Sequence, residues 1–177
     1  MQELIRVLYV DDDSDFADLT VKSLESFSES ITADYSLSAS EALERLDGGD
    51  VDCVVSDYYM PDFDGIKFLE EVREENPELP FILFTGKGSE DVASEAISAG
   101  VDDYLQKSSG VDRHDWEVLA NRIENIVGQK RAESTYQEIF DKASAGMVIL
   151  DKEMNDIIDV NQRICELLGY SNSLWKM

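Results

Sequence analysis

The chain has 177 residues, enough for one domain of about 100–150 residues and a remainder. Its composition is globular, since 43% of residues are hydrophobic and 9% aromatic, and no apolar run approaches the roughly 18 residues that cross a bilayer. Acidic residues outnumber basic ones by 39 to 15, a formal net charge of −24. A surface this acidic repels phosphate backbones and anionic lipid, so we expect no direct binding to nucleic acid or membranes.

The acid excess lies almost wholly in one part of the chain. Residues 1–128 carry 31 acidic and 9 basic residues, whereas residues 129–177 carry 8 and 6. Acidity of this size is used by halophilic proteins, so we expect a halophilic source and a solvated coat of acids. The cysteines, Cys53 and Cys165, lie far apart, and the N-terminus has no signal region. We therefore expect a reduced, cytoplasmic protein.

Residues 4–127 alternate between short apolar runs and amphipathic segments. The apolar runs predict strands at 4–10, 31–36, 51–56, 79–84 and 101–106. Apolar residues at helical spacing predict helices at about 14–27, 39–46, 64–75, 89–99 and 113–127. Five strands alternating with five helices predict an α/β fold, in which helices cover both faces of a five-stranded parallel sheet.

The last of these predicted helices carries an apolar stripe with two interpretations. Its members step three or four residues at a time: Trp116, Leu119, Ile123 and Ile126. The stripe is either the core face of the helix or a dimer seam that continues into the polar residues 128–135, a predicted helical linker. The spacing alone leaves both open.

Several reactive side chains follow the predicted strands, where open parallel sheets place their ligand sites. They are Asp11 to Asp13, Asp57, Thr85 and Lys107. Clustered carboxylates repel one another and require a cation, and an all-oxygen ligand set suits Mg²⁺. A carboxylate can also attack phosphorus to give an aspartyl phosphate, whose oxygens a lysine and a hydroxyl can bind. Each residue alone is most simply a solvated side chain, but their shared position at strand ends favours a site.

Four motifs carry a family resemblance: V-L-Y-V-D-D-D, V-V-S-D-Y-Y-M-P-D-F-D-G, F-I-L-F-T-G and D-D-Y-L-Q-K. In order and spacing they resemble the receiver domain of two-component response regulators, over about residues 4–127. The resemblance implies a flavodoxin-like fold with strand order 2-1-3-4-5. It also implies that a histidine kinase or phosphotransfer protein donates a phosphoryl group to residues 1–127.

The same resemblance assigns roles to individual residues. Asp57 would be the phosphoacceptor and Lys107 would bind the phosphoryl group. Mg²⁺ would be held by Asp12, Asp57 and the backbone carbonyl of Tyr59, with Asp11 acting through water.

Two further residues match the switch of this family. Thr85 would be the switch hydroxyl, drawn toward the phosphoryl group. Tyr104 would be the aromatic residue that turns inward on activation and repacks the face formed by the fourth helix, fifth strand and fifth helix.

Residues 136–170 resemble the opening of a PAS sensor domain, with a strand at 147–151, a turn at Asn155-Asp156, a strand at 157–161 and a following helix. We interpret residues 136–177 as the N-terminal part of such a domain, an incomplete α+β segment without its main sheet. The parent protein would then be a sensor histidine kinase or a regulator with another output. His114, the single histidine, does not resemble a kinase phosphoacceptor.

Two other functions remain open. A phosphohydrolase would use Asp57 as nucleophile, but such enzymes usually carry a second acid two residues later, where this chain has Tyr59. A degenerate receiver would act as a protein-interaction module without phosphorylation, although the acids, Thr85 and Lys107 are all present.

Two departures from the family pattern affect the chemistry. Ser108 follows Lys107 where proline is usual, so we expect a trans peptide, because a cis bond without proline costs roughly 3 kcal/mol. The positions that border the attacking water hold Tyr59 and Lys87, neither of which is a good base.

We therefore predict slow self-dephosphorylation of Asp57. The decay of phosphorylated protein at neutral pH, followed by intact mass, measures this lifetime. A lifetime of only seconds would contradict the prediction.

Overall fold

The computed structural model describes residues 4–61, 64–86, 90–108, 110–151 and 157–169. The predictions that involve Lys87, the turn at Asn155-Asp156 and residues 170–177 lie outside these ranges. The chain divides into two compact units, Met1–Gly128 and Gln129–Met177. No helix in the described part is long and apolar enough to cross a membrane.

The first unit confirms the predicted fold class. Its strands are β1 (Ile5–Val10), β2 (Ile31–Ser36), β3 (Cys53–Ser56), β4 (Phe81–Thr85) and β5 (Asp103–Gln106). They pair in parallel in the order β2-β1-β3-β4-β5. The helices are α1 (Ser14–Phe27), α2 (Ala39–Leu46), α3 (Gly65–Glu75), α4 (Glu90–Ser98) and α5 (Arg113–Lys142).

Side-chain alternation along the strands divides the apolar core into two layers. Val7 and Tyr9 of β1 pack in one cluster with residues of α1 and α5, whereas Leu8 and Val10 pack in the other with residues of α2, α3 and α4. Successive strand residues point to opposite faces, and both faces of this sheet are covered, so β1 is apolar apart from the exposed Arg6 near its start. The sheet is thereby held between two helical layers.

Helix α5 decides between the two interpretations of its apolar stripe. Of the four stripe residues, Leu119 and Ile123 are fully buried in the sheet cluster, Ile126 packs against it, and Trp116 is 8% exposed. The stripe is therefore the core face and is not available as a dimer seam. The helix continues without a break through residues 128–135, which were predicted as a helical linker, because a single helical glycine costs only about 1 kcal/mol.

Some acids have structural roles in addition to forming part of an acidic surface. Asp13 and Asp64 are N-caps, whose side chains accept backbone N–H groups in the first turns of α1 and α3. Asp52 and Asp102 accept the backbone N–H groups of Arg6 in β1 and Phe81 in β4 at 2.8 Å. These carboxylates satisfy donors that would otherwise lack a partner at helix and strand ends.

The second unit contains an antiparallel pair, β6 (Val148–Leu150) and β7 (Ile157–Val160), and helix α6 (Gln162–Leu168). Asn161, the N-cap of α6, is fully buried. Its Oδ1 accepts the N–H groups of Met147 and Ile164, and its Nδ2 donates to the carbonyls of Phe140 and Ala145. One side chain thus joins α5, the strand pair and α6 within this unit.

Gly65 begins α3 and packs closely against the backbone of Asp57, which follows β3. A Cβ there would lie 2.7 Å from the Asp57 carbonyl oxygen and 2.8 Å from Leu83 Cδ2. We predict that Gly65→Ala lowers the free energy of unfolding by roughly 1–3 kcal/mol, the usual cost of overpacking.

Gly128→Ala is the matched control, because a Cβ at this helical position meets nothing within 4 Å. It should raise the free energy of unfolding by about 0.5–1 kcal/mol. Urea denaturation measures both variants, and a Gly65→Ala protein as stable as wild type would contradict the packing described here.

Candidate functional site

The carboxyl edge of the sheet collects the residues that follow its strands. Strand pairing continues into this edge: the Asp57 N–H donates to the Val10 carbonyl, and the Lys107 N–H donates to the Thr85 carbonyl, both at 2.8 Å. A cavity of about 320 Å³ opens there. Its lining residues are Asp11, Asp13, Phe16, Asp57, Tyr59, Thr85, Gly86 and Lys107.

Lys107 joins two carboxylates within this cavity. Its Nζ lies 2.9 Å from Asp11 Oδ2 and 3.0 Å from Asp57 Oδ1. The three side chains are only 10%, 6% and 13% exposed, so solvent screens these charges weakly. The cluster contains two carboxylates and one ammonium group. Because the carboxylates outnumber the ammonium group, the cluster can accommodate further positive charge.

The remaining carboxylate oxygens are also bonded. Asp11 Oδ1 accepts the Asp13 backbone N–H at 3.0 Å, and Asp11 Oδ2 accepts the Tyr9 hydroxyl at 2.7 Å. Asp57 Oδ2 accepts the Tyr59 backbone N–H at 2.9 Å. Burial, followed by the charge of Asp11, raises the pKa of Tyr9 well above its usual value, so the phenol stays a donor at neutral pH.

Aromatic rings surround the Lys107 ammonium on its other sides. Its Nζ lies 4.3 Å from the ring centroid of Phe16, 5.4 Å from that of Phe84 and 5.9 Å from that of Tyr9. The negative face of an aromatic ring attracts a cation, and this attraction strengthens when water is excluded. The rings therefore help to hold the ammonium beside the two carboxylates.

The predicted metal ligands are only partly assembled. Asp11 and Asp57 come together, but Asp12 is exposed and does not line the cavity. Among the described residues, no group of three or more histidine, cysteine, aspartate or glutamate side chains is arranged to hold a metal ion. Lys107 supplies a positive charge between Asp11 and Asp57.

The two predicted switch residues lie at and beside the cavity. Thr85, the last residue of β4, is fully buried and lines it. Tyr104 in β5 is half-buried, and its enclosed hydroxyl has no hydrogen-bond partner within the described ranges. Burial, followed by the nearby Tyr59, raises the pKa of Tyr104. The peptide between Lys107 and Ser108 is trans, as expected.

Two site residues were not predicted from the sequence, Tyr9 and Phe16. Tyr9 was assigned only to an apolar strand, but it precedes Asp11 by two positions, and residues i and i+2 of an extended chain point to one face. That alternation could have identified it as a partner of Asp11. Phe16 was assigned only to the apolar stripe of α1, and its spacing does not distinguish core from cavity.

Comparisons with known proteins match both units. A response regulator receiver domain model matches residues 7–115, and a PAS domain model matches residues 134–176. A receiver domain protein from Methanospirillum hungatei has a similar structure, with a TM-score of 0.65 and 27% identity over 74% of this chain and 99% of that one.

Curated relatives are similar at the sequence level. The C4-dicarboxylate transport transcriptional regulatory protein DctD of Rhizobium meliloti is 35% identical over 60% of this chain, and FixJ of Bradyrhizobium diazoefficiens is 28% identical over 66%. The bacterioopsin transcriptional activator of Halobacterium salinarum is 28% identical over 73%. The aligned regions span 23%, 55% and 22% of these relatives.

Proposed function

This chain belongs to the response regulator receiver domain family, and we propose that residues 1–127 accept a phosphoryl group on Asp57 from a histidine kinase or phosphotransfer protein. The observation that carries the proposal is the position of Lys107, whose Nζ contacts both Asp57 and Asp11 inside a cavity open to a donor. An acceptor carboxylate and a cation for the incoming group are thereby adjacent.

In the proposed reaction, a carboxylate oxygen of Asp57 attacks the phosphorus of the donor. The new P–O bond forms as the bond from phosphorus to the leaving group breaks, and the leaving group keeps that electron pair. Lys107 then donates to a phosphoryl oxygen, because its Nζ already lies 3.0 Å from Asp57 Oδ1. Charge neutralisation of this kind is the main protein contribution to phosphoryl transfer.

The oxygen donors at this edge fit Mg²⁺ in chemical type. Asp11, Asp12, Asp57 and the Tyr59 carbonyl would hold the ion, which offsets the negative charge of the phosphoryl oxygens when bound. Asp12 would have to turn from its exposed position toward the cavity. The existing Asp11–Lys107 bond would have to loosen at the same time, since both cations compete for one carboxylate.

We assign the switch to Thr85 and Tyr104. Phosphorylation would draw the Thr85 hydroxyl toward the new oxygens, and Tyr104 would repack beside it. An enclosed hydroxyl without a partner costs about 1–3 kcal/mol, so the present position of Tyr104 is not strongly favoured over another. A modest change at Asp57 can then shift the balance between two conformations of Tyr104, and with it the packing of the face formed by α4, β5 and α5.

We propose that this face controls an output linked to the PAS segment at 136–177, through α5 and residues 128–135. The parent protein would be a histidine kinase or a regulator with another output. A homodimer through α5 would have to use its solvent-facing side, because the apolar stripe is buried. We also propose that the protein comes from a halophilic organism and works in the cytoplasm. The acid excess supports the first point, and the buried free cysteines support the second.

Phosphorylation of the full chain tests the proposal. Incubation with acetyl phosphate and Mg²⁺ should add one phosphoryl group to wild type, measured by intact mass. Asp57→Asn should gain nothing, because an amide is a poor nucleophile toward phosphorus. Asp47→Asn, an exposed acid away from the cavity, is the matched control and should react like wild type.

Circular dichroism verifies that Asp57→Asn is folded. An absence of mass gain in wild type would favour the interaction module. A gain that persists in Asp57→Asn would assign the acceptor to another residue.

A further inference from the structure

We propose that Tyr9 is a positioning residue that holds the carboxylate of Asp11 in place for Mg²⁺ and phosphoryl binding. The inference rests on the proposed function of the cavity. It concerns a residue of β1 that does not line the cavity and would act through Asp11.

The Tyr9 hydroxyl is directed toward Asp11 from within the core. The side chain is 0% exposed, and its hydroxyl donates to Asp11 Oδ2 at 2.7 Å. The ring is packed in the sheet cluster, with the Phe16 ring centroid 6.4 Å away. Because the ring is fully buried in this cluster, the core restricts the position of the donor.

The bonds of Asp11 differ in how easily they can be lost. Oδ1 accepts a backbone N–H, from Asp13, and Oδ2 accepts both Tyr9 and Lys107. Lys107 has a second acceptor in Asp57 and a long stem, so its Nζ is free to move toward a phosphoryl group. Tyr9 cannot follow, because its ring is buried in the core.

When Lys107 turns away from Asp11, the Tyr9 hydroxyl is therefore the donor that remains on Oδ2. It keeps the carboxylate in one orientation while the charge around it changes. A carboxylate held in this way is preorganised for a cation, whereas a free one must first lose rotational freedom.

A purely structural role for Tyr9 makes a different prediction. The ring supplies the packing, so a variant that keeps the ring and loses only the hydroxyl should then behave as wild type toward Mg²⁺. Tyr9→Phe makes this change. Tyr35→Phe is the matched control, because Tyr35 faces Tyr9 in register on β2 and is half-buried.

Calorimetric titration of the unphosphorylated full chain with MgCl₂ measures the effect without any reaction. We expect Tyr9→Phe to bind Mg²⁺ at least roughly tenfold more weakly, the usual cost of losing a hydrogen-bond partner of a metal ligand. Tyr35→Phe should stay within about twofold of wild type, since its hydroxyl does not contact Asp11.

Phosphorylation by acetyl phosphate supplies a second readout. We expect Tyr9→Phe to be phosphorylated more slowly than wild type at low Mg²⁺ concentration. Its rate should recover toward that of wild type when the Mg²⁺ concentration is raised, because the defect is in Mg²⁺ binding. A Mg²⁺ affinity equal to that of wild type would overturn the positioning role. Failure of wild type itself to be phosphorylated on Asp57 would instead overturn the proposed function, so the two failures are distinguishable.

A measurement on wild type makes the test independent of how the variant folds. The buried Tyr9 hydroxyl proton should exchange slowly with water and give its own proton NMR signal. We expect this signal to shift when Mg²⁺ is added. A signal that stays unchanged while Mg²⁺ binds would contradict the inference.

Discussion

The contact of one ammonium group with two buried carboxylates is the constraint on which the rest of the site depends. Asp11 and Asp57 end adjacent strands, so their charges would repel each other in a place that solvent screens weakly. Lys107 follows β5, which is separated from β3 by β4, and its side chain reaches both carboxylates and offsets their charge. Because removing one partner of a buried ion pair leaves an uncompensated charge, the three side chains form a single unit.

In the proposed function, that unit is also the source of reactivity. A resting cluster with one ammonium for two carboxylates can accept more positive charge, and a phosphoryl group brings more negative charge with it. Each ligand therefore changes the balance that holds Lys107. Asp11 also accepts the buried Tyr9 hydroxyl and the partly buried Asp13 N–H, so Lys107 is one of three donors to this carboxylate.

Much of the fold could be predicted because strand and helix periodicities are local properties of the sequence. The placement of Asp11, Asp57, Thr85 and Lys107 at one edge follows from parallel pairing, whereas the sheet order was implied by the family resemblance. Residues 128–135 were predicted to be helical, but their polar composition did not reveal that they continue α5 without a break. The stripe on α5 was ambiguous because apolar spacing does not reveal which surface it contacts.

Side-chain direction was the other limit. Asp12 was predicted to share the cavity with Asp11, yet adjacent residues of an extended chain point to opposite sides, and Asp12 is exposed. The hydrogen bonds that acids accept at helix caps and strand starts were not predicted either. Asp52 and Asp102 accept N–H groups from neighbouring strands, a relation that appears only after the sheet is assembled.

A double-mutant cycle on Lys107 and Asp57 tests the central claim most directly. Urea denaturation at neutral pH without Mg²⁺ would give the free energies of unfolding of wild type, Lys107→Met, Asp57→Asn and the double variant. Lys107→Met should lose about 3–5 kcal/mol, since it leaves two like charges buried together. Adding Asp57→Asn should restore a large part of that loss, because it removes their repulsion. Losses that simply add in the double variant would contradict a site organised around this charge cluster.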